Sequence, residues 1–169
     1  MIALILYLLG FGAVSNDSPT VEPVKAEIVY EGEYDVEKYL YQYNSPLASY
    51  SSDFFRASEK FGFDYQVLVA ISGVESRFGT SSLCGDYNPF GYGNPCWDFG
   101  DYSEAIWQVA KTIGTSPASG YSRFRETGKI QDLAISYNGP YADEWTEKVQ
   151  FFLNQLNDKH INSNSDIPR

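Results

Sequence analysis

The residue whose type and setting most invite chemistry is Glu75, at the end of the run Val67-Leu68-Val69-Ala70-Ile71-Ser72-Gly73-Val74. That run is apolar on nearly every side, which predicts a central helix buried all round rather than a surface helix. A carboxyl group at its C-terminal end loses hydration and also faces the negative end of the helix dipole. Both effects disfavour the charged form and raise the pKa. A carboxyl that keeps its proton near neutral pH is the group a general acid requires. The competing reading ties the Glu75 carboxylate to Arg77 or to backbone as a structural helix end.

Tyr137 repeats the placement. Ile130, Leu133, Ala134 and Tyr137 form one apolar helix face that stops at Asn138-Gly139-Pro140. Tyr137, like Glu75, therefore takes the last inward position before a glycine-containing stop. The two are expected to meet at one cleft, where a phenolic hydroxyl can donate a hydrogen bond to the carboxyl and orient it. The alternative for Tyr137 is a core aromatic whose hydroxyl is satisfied by backbone.

The segments that must position these groups are helical. Asn44-Ser45-Pro46 reads as a cap with proline in the first turn, followed by Leu47, Tyr50, Phe54, Ala57 and Phe61 on one face. Asp64 caps the segment that carries Leu68, Ile71, Ser72 and Glu75 at helical spacing. Asp101 with Glu104 begins a third helix through Ala105, Ile106, Val109, Ala110 and Ile113, and Trp145, Val149, Phe152, Leu153 and Leu156 mark the last. No convincing alternating strand is present. Short extended structure has room only at Tyr87 to Phe99, as a small hairpin or an irregular lobe.

Cys84 and Cys96 are the chain's two cysteines and flank this Gly- and Pro-rich stretch. A disulfide between them would hold the loop in one shape and would fit an oxidising compartment. Two separately buried thiols are the alternative.

The chain of 169 residues, 43% hydrophobic, suits one domain with tails. Residues 2–14 form an apolar run short for a bilayer span but of the length of a secretory signal core, so residues 1–15 are expected to be a signal peptide or a membrane anchor. Residues 16–33, rich in Asp, Glu, Ser, Pro and Thr, read as a linker. The folded domain is expected over residues 34–157, with a polar, disordered tail at 158–169. A formal net charge of −10 argues against a nucleic-acid partner, which needs a concentrated basic face. His160 is the one histidine and lies in the polar C-terminal stretch, so neither a Ser-His-Asp triad nor a multi-histidine metal site is expected. No cofactor is expected.

Taken in order, Val74-Glu75-Ser76-Arg77-Phe78-Gly79-Thr80-Ser81, Asn88-Pro89-Phe90-Gly91 and Phe99-Gly100-Asp101-Tyr102-Ser103-Glu104-Ala105 resemble the bacterial N-acetylglucosaminidase domain, the mannosyl-glycoprotein endo-β-N-acetylglucosaminidase-like domain. Ala134-Ile135-Ser136-Tyr137-Asn138-Gly139 is similar to lytic transglycosylases, although their usual Gly-Leu-Met-Gln segment is missing here. Both groups belong to the lysozyme-like superfamily, and the resemblance covers roughly Asn44 to Leu156. It implies a mostly α, lysozyme-like domain with a short disulfide-closed loop, acting outside the cytoplasm on β-1,4 bonds of peptidoglycan glycan strands, as a monomer. By the same resemblance Glu75 is the general acid, and Tyr137 and Asn138 match the transglycosylase Tyr-Asn pair beside it. Asn88, Phe90, Gly91 and Tyr92 would contribute to substrate binding, Phe90 and Tyr92 as flat surfaces for sugar rings. Ser76, grouped with these cleft residues, is expected to hydrogen-bond at the helix end rather than act as a nucleophile, because no base is visible for it. The second carboxylate that glucosaminidases use stays unassigned among Asp86, Asp98 and Asp101, the last better explained as a helix cap.

Overall fold

The computed structural model describes residues 32–81 and 84–165, and the regular structure in them is entirely helical. In chain order the helices are α1 (Glu33–Tyr41), α2 (Ser51–Phe61), α3 (Tyr65–Ser76), α4 (Tyr102–Thr115), α5 (Ser119–Thr127), α6 (Ile130–Tyr137) and α7 (Ala142–Ser165). Single 3₁₀ turns at Pro46–Tyr50 and Gly139–Tyr141 lead into α2 and α7. The apolar run resides in α3, which packs against α2 and α7, while α6 lies between α5 and α7 and α4 joins α2 to α5. Every residue of α3 from Gln66 to Gly73 is buried, so the all-round apolar pattern reports a central helix, as its sequence implies.

The caps lie where the sequence places them. Ser45 Oγ accepts from Leu47 N at 3.0 Å, Asp64 Oδ1 from Gln66 N at 2.8 Å and Asp101 Oδ1 from Glu104 N at 2.7 Å. Glu104 bonds the Gly100 N–H at 2.7 Å, one residue before the position a closed capping box would use.

Two helices, α1 and α5, were not among those expected from the sequence. In α5 only Gly120 and Phe124 are buried, too few to draw a face. α1 buries Val36, Tyr39 and Leu40 within nine residues, and begins where the domain was expected to start. At the other end α7 continues to Ser165, past the boundary at residue 157 beyond which a disordered tail was expected. A polar sequence without Gly or Pro does not stop a helix already nucleated by packing. The signal or anchor at residues 1–15 and nearly all of the linker lie outside the described residues. Among the described residues no helix is long and apolar enough to cross a membrane.

The segment between α3 and α4 is an irregular lobe closed by a Cys84–Cys96 disulfide, with Cα atoms 5.3 Å apart. No hairpin forms in it, because its backbone bonds go elsewhere. Asn88, only 2% exposed, donates from Nδ2 to Tyr92 O (2.9 Å) and Trp97 O (2.8 Å) and accepts from Tyr92 N (2.9 Å). One side-chain amide thus replaces the ladder two strands would have shared.

Candidate active site

The end of α3 explains the local motif. Phe78 N donates to Ser72 O at 2.9 Å, closing a turn one residue wider than the six-to-one bond of a Schellman cap, and Arg77, Phe78 and Gly79 all take left-handed backbone conformations (φ 52°, 60° and 77°). Two non-glycine residues there cost about 1 kcal/mol or more each. Burial offsets this cost: Phe78 is 1% exposed, packed against Tyr39, Tyr43 and Phe152. It lies flush on Gly73, where a Cβ would stand 2.7 Å from its ring. Ser76 Oγ completes the turn, donating to Pro89 O (2.7 Å) and Ser72 O (3.1 Å) and accepting from Gly79 N (2.8 Å). The serine after the glutamate therefore ties α3 to the disulfide lobe. At 3% exposure it is a hydrogen-bonder of the helix end and offers nothing to a substrate.

Glu75 projects from this rigid end and is half-buried. Its partner is Trp145 of α7, whose Nε1–H donates to Glu75 Oε1 at 2.6 Å. The other oxygen, Oε2, faces the lobe backbone, where a Cβ on Gly91 would come within 3.0 Å of it. Among the described residues Glu75 makes no ion pair, and Arg77, the alternative partner, is exposed at the helix cap. Burial raises the carboxyl pKa above its ordinary value of 4.5, while the Trp145 N–H and then the Lys148 charge pull it down without cancelling the rise.

Tyr137 reaches the same place but bonds differently from the expectation. Its hydroxyl donates to the Phe90 carbonyl at 2.8 Å, which is the backbone-satisfied alternative, and its ring stacks on Trp145 with centroids 5.0 Å apart at 26°. The phenol is thus close to Glu75 without bonding it: burial, followed by the Glu75 charge, holds its pKa well above the ordinary value. So held, the phenol keeps its proton and spends it on the Phe90 carbonyl. Its visible work is to fix the lobe against α6 and to press on the indole that bonds Glu75.

A cleft of about 220 Å³ opens beside these groups, lined by Gly91, Tyr92, Gly93, Asn94, Tyr121, Ser136 and Tyr137. Gly91 and Tyr92 were expected here. Phe90 and Asn88 were expected as well, but Phe90 is fully buried and Asn88 nearly so, and each serves from beneath: one through its carbonyl, the other through the loop bonds already described. A core ring cannot present a face to a sugar. Asn138 closes α6, with its backbone N–H on Ala134 O at 2.9 Å, and does not line the cleft. Tyr92 is fixed by its hydroxyl against Thr112 Oγ1 at 2.9 Å. Tyr121 and Ser136 come from α5 and α6, and burial, followed by Tyr92, pushes the Tyr121 hydroxyl up to about 12.

Of the three candidate second carboxylates, Asp101 caps α4, and Asp98 Oδ1 accepts from Asp86 N at 3.3 Å within the exposed lobe. None lines the cleft. No group of three or more His, Cys, Asp or Glu among the described residues is arranged to hold a metal ion.

Sequence reasoning missed Trp145 as the partner of Glu75, reading it only as a core residue of α7. A signal existed, since a buried indole N–H needs an acceptor and Glu75 was the carboxylate expected inside. The fold and the cleft together define a helical domain with one desolvated acid at the edge of a tyrosine-walled cleft. In comparisons with known proteins, no family model, no curated protein and no solved structure matches the chain.

Proposed function

We propose that this protein cleaves the β-1,4-linked amino-sugar strands of peptidoglycan, with Glu75 as the general acid that protonates the departing glycosidic oxygen. The observation that carries the reading is the Glu75 carboxyl: half-buried, raised in pKa by desolvation, free of any cation contact among the described residues, and set against Gly91 at the margin of a cleft. The Trp145 N–H at 2.6 Å holds Oε1, leaving Oε2 as the oxygen from which a proton is delivered, and it stabilises the carboxylate left behind after that delivery. The order of motifs from Val74 to Gly139 supports glycan strands as the substrate, and the disulfide supports an extracytoplasmic location.

β-N-acetylglucosaminidase-type hydrolysis is the leading chemistry. A specific observation favours keeping lytic transglycosylation beside it: among the described residues no second carboxylate lines the cleft, which suits attack by a hydroxyl of the sugar chain itself as well as by water. Digesting purified cell walls with the wild-type protein and Glu75→Gln, followed by mass spectrometry of the released muropeptides, tests both. The wild type should release new hydrated reducing ends, or anhydro ends if the sugar supplies the oxygen, and Glu75→Gln should release neither. Equal release by both proteins removes Glu75 from the mechanism. Glycan binding without cleavage by the wild type would instead make the protein a silent lysozyme-like binder.

A further inference from the structure

We infer that Trp97 is the platform for a second sugar ring, extending the cleft along the disulfide lobe; the inference rests on the glycan-cleaving reading and identifies where the strand continues beyond the Glu75 site. Trp97 is 48% exposed, and its surroundings are built rather than loose. Its N–H donates to Tyr92 O at 3.1 Å, its carbonyl accepts from the buried Asn88 amide at 2.8 Å, and its neighbour Cys96 is held by the disulfide. The indole stands edge-on to Tyr92, centroids 5.1 Å apart at 90°, with Cδ1 against Gly93, where any side chain would displace it.

Tyr92 and Gly93 are themselves cleft residues, so the indole and the cleft share a wall. Asn94, exposed on the same rim, supplies an amide donor and acceptor beside it. Trp107 and Trp145 both give their indole N–H to carboxylates, Asp53 at 2.9 Å and Glu75 at 2.6 Å, and are packed into the domain. Trp97 instead keeps about half of its surface exposed, on backbone that the Tyr92 and Asn88 bonds and the disulfide tie down. A flat face with polar groups at its edge matches a pyranose ring, whose axial C–H bonds pack on an aromatic plane while its hydroxyl and acetamido groups stay at the rim. Fixing the loop before binding removes the entropy cost of ordering it afterwards.

The test uses the full chain carrying Glu75→Gln, titrated with the N-acetylglucosamine tetramer while the three indole N–H signals are followed by NMR, Trp97 being assigned by Trp97→Phe. The Trp97 signal should move on binding while that of Trp107 stays still. Trp97→Ala in the same background should bind the tetramer about tenfold more weakly, as expected for loss of roughly half an indole's apolar contact, with Trp97→Phe between the two. In the chain with Glu75 intact, Trp97→Ala should raise KM on cell walls and leave kcat unchanged. A stationary Trp97 signal with bound tetramer, tetramer affinity unchanged in Trp97→Ala, or no binding of the tetramer overturns the inference. Wall cleavage that needs Glu75 but ignores Trp97 would sink the platform and leave the catalytic reading standing. A tetramer seated on Trp97 of a protein that cuts no wall would do the reverse.

Discussion

Replacing Trp145 by phenylalanine keeps a ring against Tyr137 and removes the N–H that Glu75 accepts at 2.6 Å. Two costs follow, and they differ in pH dependence. The smaller ring leaves a void at a site only 2% exposed, worth about 1 kcal/mol at any pH. The lost bond is worth about 1.5–3 kcal/mol while the carboxyl is ionised and about 1 kcal/mol when it is protonated, because the neutral carboxyl still accepts the N–H. Because burial holds the folded Glu75 pKa above that of the unfolded chain, ionising it costs folded-state stability. That cost is absent below the unfolded value, near 4.5, and grows as pH rises through the folded one. Trp145→Phe raises the folded pKa further, so its excess cost should appear in the same direction, from about 2 kcal/mol at pH 4 to about 3 kcal/mol or more at pH 8. The excess is bounded by the cost of keeping the proton on, about 1.4 kcal/mol for each pH unit above the wild-type pKa. Urea unfolding at several pH values reads it directly. In a Glu75→Gln background the same substitution should cost a pH-independent amount of about 2 kcal/mol, the void plus a neutral hydrogen bond to the Gln carbonyl. A Trp145→Phe penalty that is flat in pH, or equal in the two backgrounds, would refute a functional coupling between the indole and the carboxyl.

Other expectations rest on neighbouring contacts. Glu75→Gln alone should raise the unfolding midpoint at neutral pH and converge with the wild type in acid, since the penalty for a desolvated charge is gone; lower stability at pH 7 would contradict the raised pKa. Tyr137→Phe leaves the Phe90 carbonyl without its 2.8 Å donor and should cost about 1–3 kcal/mol equally at pH 5 and pH 8 by chemical denaturation. Gly91→Ala adds a left-handed alanine (φ 58°) against Glu75 Oε2, so about 1–2 kcal/mol of stability and most wall-cleaving activity should go together in melting and turnover assays. The double variant Cys84→Ser/Cys96→Ser releases a short loop, and by chain entropy should lose about 3 kcal/mol, with hydrogen exchange at the Tyr92 and Trp97 amides rising more than in α3.

What could be read from the chain by itself was whatever depends on near neighbours. Ser45, Asp64 and Asp101 cap helices because a short polar side chain meets backbone N–H groups two or three residues away. The burial of α3 follows from the absence of any polar face in its sequence, and that burial is enough to raise Glu75. Which atoms meet across the fold was decided only by tertiary packing. Phe90 and Asn88, legible as loop residues, turn inward because the disulfide lobe has too little chain to build a core of its own and borrows the end of α3 and the ring of Tyr137. Trp145 meets Glu75 across 70 residues of sequence because α7 lies along α3, a pairing that no periodicity within either helix encodes. A side chain's exposure along a helix repeats every few residues and can be counted. The partner it finds depends on how two helices are laid together, and that is settled by the packing of the whole domain.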